Sequence, residues 1–567
     1  MNDAERLSLS GRRWRIAPRL SPEDLGSVTD LPPLAVQLLH NRGLRNADAI
    51  GEFIAGGLPP HDPFLMDGME AAAARLLRAV AAGERVCIYS DYDADGVTSC
   101  SVLTLALHSL GLDPTAYFPD RRREGYGLNQ AAIAAIAAEG VNLLISTDCG
   151  ANAVAEVESA LAAGMDVIVT DHHTVVSELP AAAIALNPHN PGEGYPFPDL
   201  AGVGVAYKLA EAVLMEAESP EAIEAESLLD LVALGTVADV VPLRDENRLF
   251  VLEGLQRMNA GSRPAMKALI NVARLTPGDI TSTDLGYRLG PRINAAGRMD
   301  DARIAYRLLT GDDPVANDRL ALKLEELNRR RQQATENVLA AAQEFATADG
   351  PVFAYGDDWH PGVIGLVAGR LAEASGRPAF VASVRDGVAQ GSARSPEGFS
   401  VVAALSACHV ILDRHGGHPR AGGFTLAGDR LEEFAAALRE QWSAAGAPAA
   451  RPAVEADCRL RPESISWDTL QLVQDLEPYG QGFPAPLFAV SGLRLAERRT
   501  VGGDHSHLRP VFAGLTADLS AIWFGGGAHV GALQPGHDYD VAFRLAKSTY
   551  QGQTRLDMLI EDVRAAG

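Results

Sequence analysis

Residues 86–96 read VCIYSDYDADG. Five residues without charge are followed at once by aspartates at alternate positions, Asp91, Asp93 and Asp95. A short apolar run that leads into turn residues predicts a buried strand. Ligands of open parallel sheets bind beyond the carboxyl ends of the strands, so acidic residues in that place predict a site.

The aspartates of this stretch allow two interpretations. Carboxylates crowded into seven residues repel one another and are costly to bury, and a bound divalent cation removes that cost. A polar turn with acidic caps before a helix is the alternative, since Asp is common at helix N-termini. The stretch alone does not separate the two.

The chain downstream of Arg85 alternates short apolar runs with Ala-rich helical stretches, which is typical of a parallel α/β sheet. Strands are predicted at 86–89, 115–118, 143–146 and 167–170, and crossover helices at 98–110, 129–139 and 151–163. Further helices are predicted at 227–241 and 302–309.

Three more parts follow this sheet. One long helix rich in Glu, Arg and Gln is predicted at 315–347, and we interpret it as a connector. A second α/β domain follows, and short strands after the Ala/Pro-rich linker 446–452 predict a small β-barrel. The expected division is an N-terminal segment 1–48, a first α/β domain 49–314, a connecting helix 315–348, a second α/β domain 349–446 and a barrel domain 453–567.

Composition limits the classes of protein to consider. The 567 residues are 47% hydrophobic and 22% charged, which excludes disorder as the main state. A net charge of −24 argues against a protein that merely coats nucleic acid. Five cysteines without a CxxC pair favour a reducing cytosol. We find neither a signal peptide nor a membrane span, and expect a cytoplasmic protein without membrane association.

Three other acidic motifs follow the first one along the chain. Asp148 lies in STDCG at the end of the third strand, and Asp239 lies amid apolar residues in GTVADVVPL. Asp171, His172 and His173 end the fourth strand in VTDHHT. An isolated His pair is more often a hydrogen-bonded structural feature than a ligand set, but these strands are predicted to be neighbours, which favours a shared site.

The donor set consists of carboxylates and imidazoles without thiolates. This chemistry suits Mn²⁺ or Mg²⁺ better than structural zinc. Two such ions about 3.5–4 Å apart activate a water and neutralise a phosphoryl displacement. Hydrolysis of a phosphate ester is therefore the leading reaction.

The ordered motifs DYDADG, STDCG, TDHH and GTVADVVPL resemble those of the DHH phosphoesterase superfamily. The runs LGPRINAAGRMDDA, GSARS and GGHPRAGGF narrow the resemblance to its RecJ family of single-strand-specific 5′ to 3′ DNA exonucleases, from about residue 30 to the end. The resemblance implies a DHH domain, a DHH-associated α/β domain and a C-terminal oligonucleotide-binding (OB) fold.

The resemblance also implies roles for individual residues. Asp93, Asp95, His172 and Asp239 match metal ligands, and Asp148 matches a bridging carboxylate. Catalytic roles are implied for these five and for the remaining members of the DHH signature, Asp171 and His173.

One position departs from the wider superfamily. Tyr89 replaces the His that usually lies four positions before the first Asp of D-x-D, and Asp91 is the candidate replacement ligand.

Substrate contacts are expected from three stretches. Arg292, Asn294 and Arg298 lie in a Gly/Asn-rich motif that we expect to be a loop, and Arg forks suit bidentate phosphate binding. Arg121 follows the second strand beside the Gly-flanked Tyr126. Solvated surface arginines are the alternative for both stretches. The third stretch comprises Gly-rich motifs that are expected to form phosphate-binding turns, or else plain hairpins, and that carry Ser392, Arg394 and His418.

The resulting hypothesis is a two-metal exonuclease that releases mononucleotides from the 5′ end of single-stranded DNA in recombination and repair. Alternatives are a phosphodiesterase for short oligonucleotides or cyclic dinucleotides, and an inactive strand-binding scaffold. By resemblance, partners are a single-strand-binding protein and a RecQ-type helicase. We expect a monomer.

Overall fold

The computed structural model describes residues 6–21, 31–54, 56–57, 59–121, 123–261, 263–346, 350–446, 453–503, 505–515, 519–550 and 553–567. The chain forms two compact units, Met1–Gly57 with Ala450–Gly567 and Leu58–Ala449. Arg122 and most of the predicted linker 446–452 lie outside the described residues. None of the helices in the described ranges is long and apolar enough to cross a bilayer.

The N-terminal part of the first unit contains strand β1 and two helices. The bounds are β1 Trp14–Ile16, α1 Pro33–Asn41 and α2 Ala47–Ile54. Trp14 is buried, and its indole donates to Asp562 at 3.1 Å, so this segment is attached to the end of the chain. The sequence-based division, which set residues 1–48 apart, did not anticipate this pairing.

The second unit begins with helix α3 and a five-stranded parallel sheet, which confirms the predicted fold class. The strand order is β3-β2-β4-β5-β6. Strands β2 and β4 are buried along their whole length because helices cover both faces. The bounds are α3 Met69–Ala82, β2 Val86–Ser90, α4 Ala94–Ser109, β3 Thr115–Tyr117, α5 Gln130–Ala138, β4 Leu143–Thr147, α6 Val154–Ala162, β5 Asp166–Thr170 and β6 Ile184–Leu186.

A group of helices follows the sheet and packs against α4 in the largest apolar core of the unit. The bounds are α7 Gly202–Glu216, α8 Leu229–Ala238, α9 Asp245–Ala260, α10 Pro264–Val272, α11 Gly290–Met299, α12 Arg303–Thr310 and the long connecting helix α13 Pro314–Gln343. The expectation of a loop for LGPRINAAGRM is wrong, because Gly290–Met299 is helical. Its apolar residues Ile293, Ala295 and Ala296 are buried, which stabilises the helix despite two glycines.

The second α/β part has a mixed sheet in the order β10-β11-β9-β8-β7. The expectation of Gly-rich turns is wrong for GSARS, of which Gly391–Arg394 lie in β9, and for GGH, which ends β10. Small residues allow these antiparallel strands to approach closely. The bounds are β7 Val352–Asp357, α14 Ile364–Ser375, β8 Ala379–Arg385, β9 Val388–Arg394, α15 Val401–Ala407, β10 Arg414–His418, β11 Ala421–Ala427 and α16 Leu431–Ala445.

The C-terminal part of the first unit is a small barrel, as predicted. Strands β14, β17, β18 and β16 pair in that order, β15 pairs with β14, and a bridge between Leu508 and Trp523 joins β15 to the end of β16. The bounds are β12 Val454–Ala456, β13 Cys458–Arg459, α17 Trp467–Asp475, β14 Phe488–Val501, β15 His507–Phe512, β16 Leu519–Ile522, β17 Asp538–Tyr550 and β18 Gln553–Ala565.

Candidate metal centre

The acidic motifs meet at one edge of the parallel sheet. Asp91 and Asp93 follow β2, Asp148 follows β4, and His172 follows β5. Neighbouring parallel strands end at the same edge, so the sequence motifs converge because the strands are neighbours. Asp239 reaches the same place from the C-terminal end of α8.

The loop between β2 and α4 is held by hydrogen bonds. Asp93 caps α4, since its Oδ1 accepts from the N–H groups of Asp95 at 3.0 Å and Gly96 at 3.2 Å. Asn294 on α11 accepts from the N–H of Ala94 at 2.9 Å. Asn294, which was expected to contact substrate, therefore positions the metal-binding loop.

Asp95 is bound by the N-terminus of helix α7. Its two carboxylate oxygens accept from the N–H groups of Gly202 at 2.7 Å and Val203 at 2.8 Å. Unpaired N–H groups and the helix dipole favour a negative charge at this point. Sequence reasoning missed both residues. The only signal is the run AGVGVAYK, in which glycine opens a helix.

Gly202 allows two carboxylates to share a narrow space. A Cβ at this position would lie 2.8 Å from Asp148 Oδ1 and 2.9 Å from Asp95 Oδ2. Both distances are below ordinary van der Waals contact. Any larger residue at position 202 would displace a ligand.

Asp148 and His172 form the centre of the cluster. Asp148 has a φ of 57°, an uncommon left-handed conformation for a residue other than glycine. The Nε2 of His172 lies 3.2 Å from Asp148, 3.6 Å from Asp239 and 3.8 Å from Asp95. One imidazole nitrogen thus faces three carboxylates.

The described residues provide three overlapping groups whose donor atoms lie within 4.8 Å of one another. The groups are Asp91, Asp93 and Asp148; Asp95, His172 and Asp239; and Asp148, His172 and His173. Asp148 and His172 each belong to two groups, so the groups overlap in a way that suits two neighbouring ions.

Two observations show that this site fits divalent cations. Asp91 Oδ1 and His172 Nε2 are buried without a hydrogen-bond partner. Burial and mutual repulsion also raise the pKa of several carboxyl groups, to about 7 for Asp95 and well above the ordinary value for Asp148 and Asp239. Bound cations remove both costs, since they satisfy the orphaned atoms and neutralise the repulsion.

The pKa values of the His172 and His173 imidazoles are shifted in opposite directions. Burial and the neighbouring His173 lower the pKa of His172 to about 4, so it is a neutral ligand at pH 7. Burial also acts to lower the pKa of His173, but its hydrogen bond to Asp171, at 2.7 Å, raises it overall. Asp171 thus positions His173.

A cavity of about 250 Å³ opens over the cluster. Its lining combines four carboxylates with two arginines, two tyrosines and one imidazole: Asp91, Tyr92, Asp93, Arg121, Tyr126, Asp148, His173, Asp239 and Arg298. The Arg121 guanidinium lies 5.2 Å from the centre of the Tyr92 ring, a cation–π contact that orients it. Burial and the charge of Arg121 lower the pKa of Arg298 to about 10, which leaves it charged at pH 7.

Ser392 and Arg394 lie together on β9. Arg394 Nη1 donates to Ser392 Oγ at 3.2 Å, and both face the first turn of α14 at Gly365. Burial and repulsion from Arg121, one of the two arginines that line the cavity, lower the pKa of Arg394. The first turn of α14 and these side chains together offer hydrogen-bond donors of the kind that suit an anion.

Two expected substrate contacts, Arg292 and His418, are not among the residues that line the cavity. Arg292 does not line the cavity, because it pairs with Glu325 of the connecting helix at 2.8 Å. His418 is exposed at the end of β10 and is not among the lining residues. The Tyr89 hydroxyl donates to the carbonyl of Gly127 at 2.8 Å, so this side chain does not replace the missing His ligand. Asp91 is in the first group of donors instead.

Family models match three stretches of the chain. The DHH family, N-terminal domain matches residues 85–236, the DHHA1 domain matches residues 349–444 and the RecJ OB domain matches residues 456–562. The first stretch contains the parallel sheet and the cluster residues up to His173, with Asp239 just beyond its end, and the others correspond to the second α/β part and the barrel.

Relatives match across nearly the whole chain. The single-stranded-DNA-specific exonuclease RecJ of Bacillus subtilis (strain 168) is 35% identical over 98% of this chain and 71% of that protein. The crystal structure of RecJ from Thermus thermophilus with Mn²⁺ is 30% identical, with a TM-score of 0.82 over 98% of this chain and 80% of that one. The same enzyme with Mg²⁺ is 28% identical, with a TM-score of 0.78 over 98% and 79%. The chain therefore belongs to the RecJ family of the DHH superfamily.

Proposed function

We propose that the chain is a metal-dependent exonuclease that removes mononucleotides from the 5′ end of single-stranded DNA in recombination and repair. The observation that carries this function is the set of overlapping ligand groups at one sheet edge, beneath a cavity that also contains arginines. Membership of the RecJ family supports it, as do the relatives named as single-stranded-DNA-specific exonucleases and the RecJ structures with Mn²⁺ and Mg²⁺.

We assign the cations to the three ligand groups, with Asp148 as the shared carboxylate. When bound, two divalent cations supply a water nucleophile and neutralise charge on the scissile phosphate. The protein residues fix the geometry. The N–H groups of Gly202 and Val203 orient Asp95, and Asp171 holds His173 toward the cavity.

We assign the phosphates of the strand to the arginines around the cavity. Arg298 lines the metal cavity, where its positive charge stabilises the negative charge that develops on the scissile phosphate. Arg121, with Arg394 and Ser392 beside it, is suited to hold the terminal 5′-phosphate through forked donors. The ion pair with Glu325 argues against Arg292 as a contact.

The test is cleavage of three substrates by the full chain with Mn²⁺ or Mg²⁺. A 5′-labelled single strand is expected to release labelled mononucleotide, whereas a blunt duplex and a cyclic dinucleotide are expected to persist. Preferred hydrolysis of the cyclic dinucleotide would support the small-substrate alternative. No product from any substrate would support an inactive scaffold.

The stability of the metal-free protein is expected to fall as pH rises. Because burial and Asp93 raise the pKa of Asp95 to about 7 in the fold, its contribution to stability is full below its unfolded pKa and is lost as pH rises through about 7. The unfolding temperature without metal should therefore decrease between about pH 4 and pH 7, and Mn²⁺ should reverse the decrease.

Two variants make this measurement specific. Asp95→Asn should weaken the pH dependence, because the amide does not ionise. Asp312→Asn is the matched control, since Asp312 is exposed and lies outside the cluster. Equal pH profiles for the wild type and Asp95→Asn would contradict the proposed repulsion.

The remaining proposals concern partners and organisation. Family resemblance supports interaction with a single-strand-binding protein and a RecQ-type helicase. A monomer is our default proposal. The five cysteines are free thiols, which supports a cytoplasmic location. The division at 49–314, 315–348, 349–446 and 453–567 remains our proposed domain organisation.

A further inference from the structure

We propose that Asn247, a buried residue in the first turn of α9, is a positioning residue for one of the two ion sites, the one formed by Asp95, His172 and Asp239. Its amide donates to two main-chain carbonyls rather than to a ligand. In this way it ties together the two segments of chain that hold these three ligands in place. This inference rests on the proposed function and extends it to how a single ion site is built.

The amide of Asn247 joins two segments that are far apart in sequence. Its Nδ2 donates to the carbonyl of Asp199 at 2.6 Å and to the carbonyl of Pro242 at 3.0 Å. The residue has no exposed surface, so these hydrogen bonds are shielded from water. Asp199 lies three residues before Gly202, where α7 begins, and Pro242 lies three residues after Asp239. One side chain therefore fixes the two segments relative to each other.

The first segment supports two of the three ligands. The first residues of α7 donate two main-chain N–H groups to Asp95. The main chain of Leu200 also hydrogen-bonds the side chain of His172, which acts to raise the pKa of that imidazole. Leu200 directly follows Asp199, so any displacement of the Asp199 carbonyl would disturb the supports of both ligands.

The second segment carries the third ligand in an uncommon conformation. Asp239 ends α8, and Val240 after it has a φ of 65°, a left-handed conformation that a β-branched residue rarely adopts. Such a conformation persists only where its surroundings fix it. The residue is 64% exposed, so packing of its side chain contributes little. The Pro242 carbonyl, in contrast, accepts from both the Asn247 amide and the N–H of Arg244, each at 3.0 Å, and these bonds hold the turn.

The other ion site is supported in a different way. Asp91 and Asp93 follow β2, and Asp148 follows β4, so neighbouring strands of the parallel sheet place these ligands. Loss of the Asn247 amide should therefore weaken one ion and spare the other. This selectivity separates a positioning role from a general contribution to stability.

The test counts the Mn²⁺ ions bound by the full chain without DNA. Electron paramagnetic resonance of free Mn²⁺ gives the number and affinity of bound ions, and at low temperature it distinguishes a spin-coupled pair from a single ion. The wild type is expected to bind a coupled pair. Asn247→Ala should keep one ion at wild-type affinity and bind the second roughly 10- to 100-fold more weakly, the range for loss of a residue that supports metal ligands. Asn247→Leu, which keeps side-chain volume, should show the same split.

Activity should follow the weakened ion. In both Asn247 variants, cleavage of a single strand should fall at limiting Mn²⁺ and recover at high Mn²⁺, where the second site fills again. Two ions bound with wild-type affinity by both variants would overturn the proposal, and so would equal weakening of the two ions.

Asn317 provides the matched control. It is equally buried in the first turn of α13, and its amide donates to the carbonyl of Gly311 at 2.9 Å, but neither residue lines the metal cavity. Asn317→Ala should lower the unfolding temperature of the metal-free protein, as Asn247→Ala should, yet bind both ions as the wild type does. Loss of the second ion from Asn317→Ala as well would mean that any buried amide has this effect, and the specific role of Asn247 would fall.

A second substitution tests the turn after Asp239. Val240→Gly removes the cost of the left-handed φ, so in the Asn247→Ala background it should return the affinity for the second ion toward the wild-type value. A double variant no better than Asn247→Ala would overturn the role assigned to this turn. Failure of the wild type to bind Mn²⁺ or to cleave any strand would instead contradict the proposed exonuclease function.

Discussion

Replacing Asp148 by asparagine is expected to lower kcat for single-stranded DNA by ~10³-fold or more, because it removes the carboxylate shared by two ligand groups. Asparagine tolerates the left-handed backbone that this position requires, so the fold should persist. The phosphate contacts assigned to Arg121 and Arg394 are unaffected, and strand binding should be nearly intact. Single-turnover cleavage and fluorescence anisotropy measure the two properties separately.

A second consequence distinguishes this variant from simple damage. Burial and repulsion from Asp95, Asp93, Asp239 and Asp91 raise the pKa of Asp148, so removal of its charge should stabilise the metal-free protein at pH 8. The variant should at the same time lose most of the stabilisation by Mn²⁺. Asp148→Ala should also abolish cleavage. Substantial residual activity in either variant would contradict the assignment of Asp148 as the shared ligand.

The metal cluster could be predicted from sequence because one topological rule governs it. Strand ends of a parallel sheet share an edge, so motifs that follow β2, β4 and β5 must converge. Asp239 was harder to predict, since it comes from a helix end rather than a strand. Only its apolar surroundings and the family pattern pointed to it.

The substrate residues were less predictable because their positions depend on packing. The motif around Arg292 contains glycines that favour a loop in isolation, yet burial of Ile293 and Ala296 makes it helical. The helix then presents Arg298 to the cavity and Arg292 to Glu325. The helix therefore determines that Arg298, and not Arg292, is available to bind substrate. The interpretation of this motif as a loop did not take helical spacing into account.

The contact between Trp14 and the C-terminal strand also could not be predicted from the sequence pattern. Trp14 is an isolated aromatic residue in a charged segment, and nothing near it indicates a partner at the opposite end of the chain. In the structure it lies under the Arg564 guanidinium, 4.5 Å from ring centre to Cζ, beside Asp562. Contacts between residues so far apart in the sequence produce no periodic pattern of residue types. They can therefore be recognised only in the folded structure.

Replacing Gly202 by alanine is expected to lower kcat by about 10²-fold or more, the scale on which a 1 Å displacement of a catalytic group acts. The added methyl group would lie 2.8 Å from Asp148 Oδ1 and 2.9 Å from Asp95 Oδ2, so at least one ligand must move. The backbone at Gly202 has no left-handed φ, and alanine is the better helix former. The loss should therefore arise from the cluster and not from helix α7.

Gly369→Ala in helix α14 is the matched control. A Cβ at Gly369 would meet nothing within 4 Å, so this change should leave activity intact and stabilise the helix by about 0.5–1 kcal/mol. Gly202→Ala should in contrast show a smaller rise in unfolding temperature with Mn²⁺ than the wild type, because the ligands no longer fit together. Wild-type cleavage by Gly202→Ala would mean that Asp95 and Asp148 need not be this close, and the shared site would have to be reassigned.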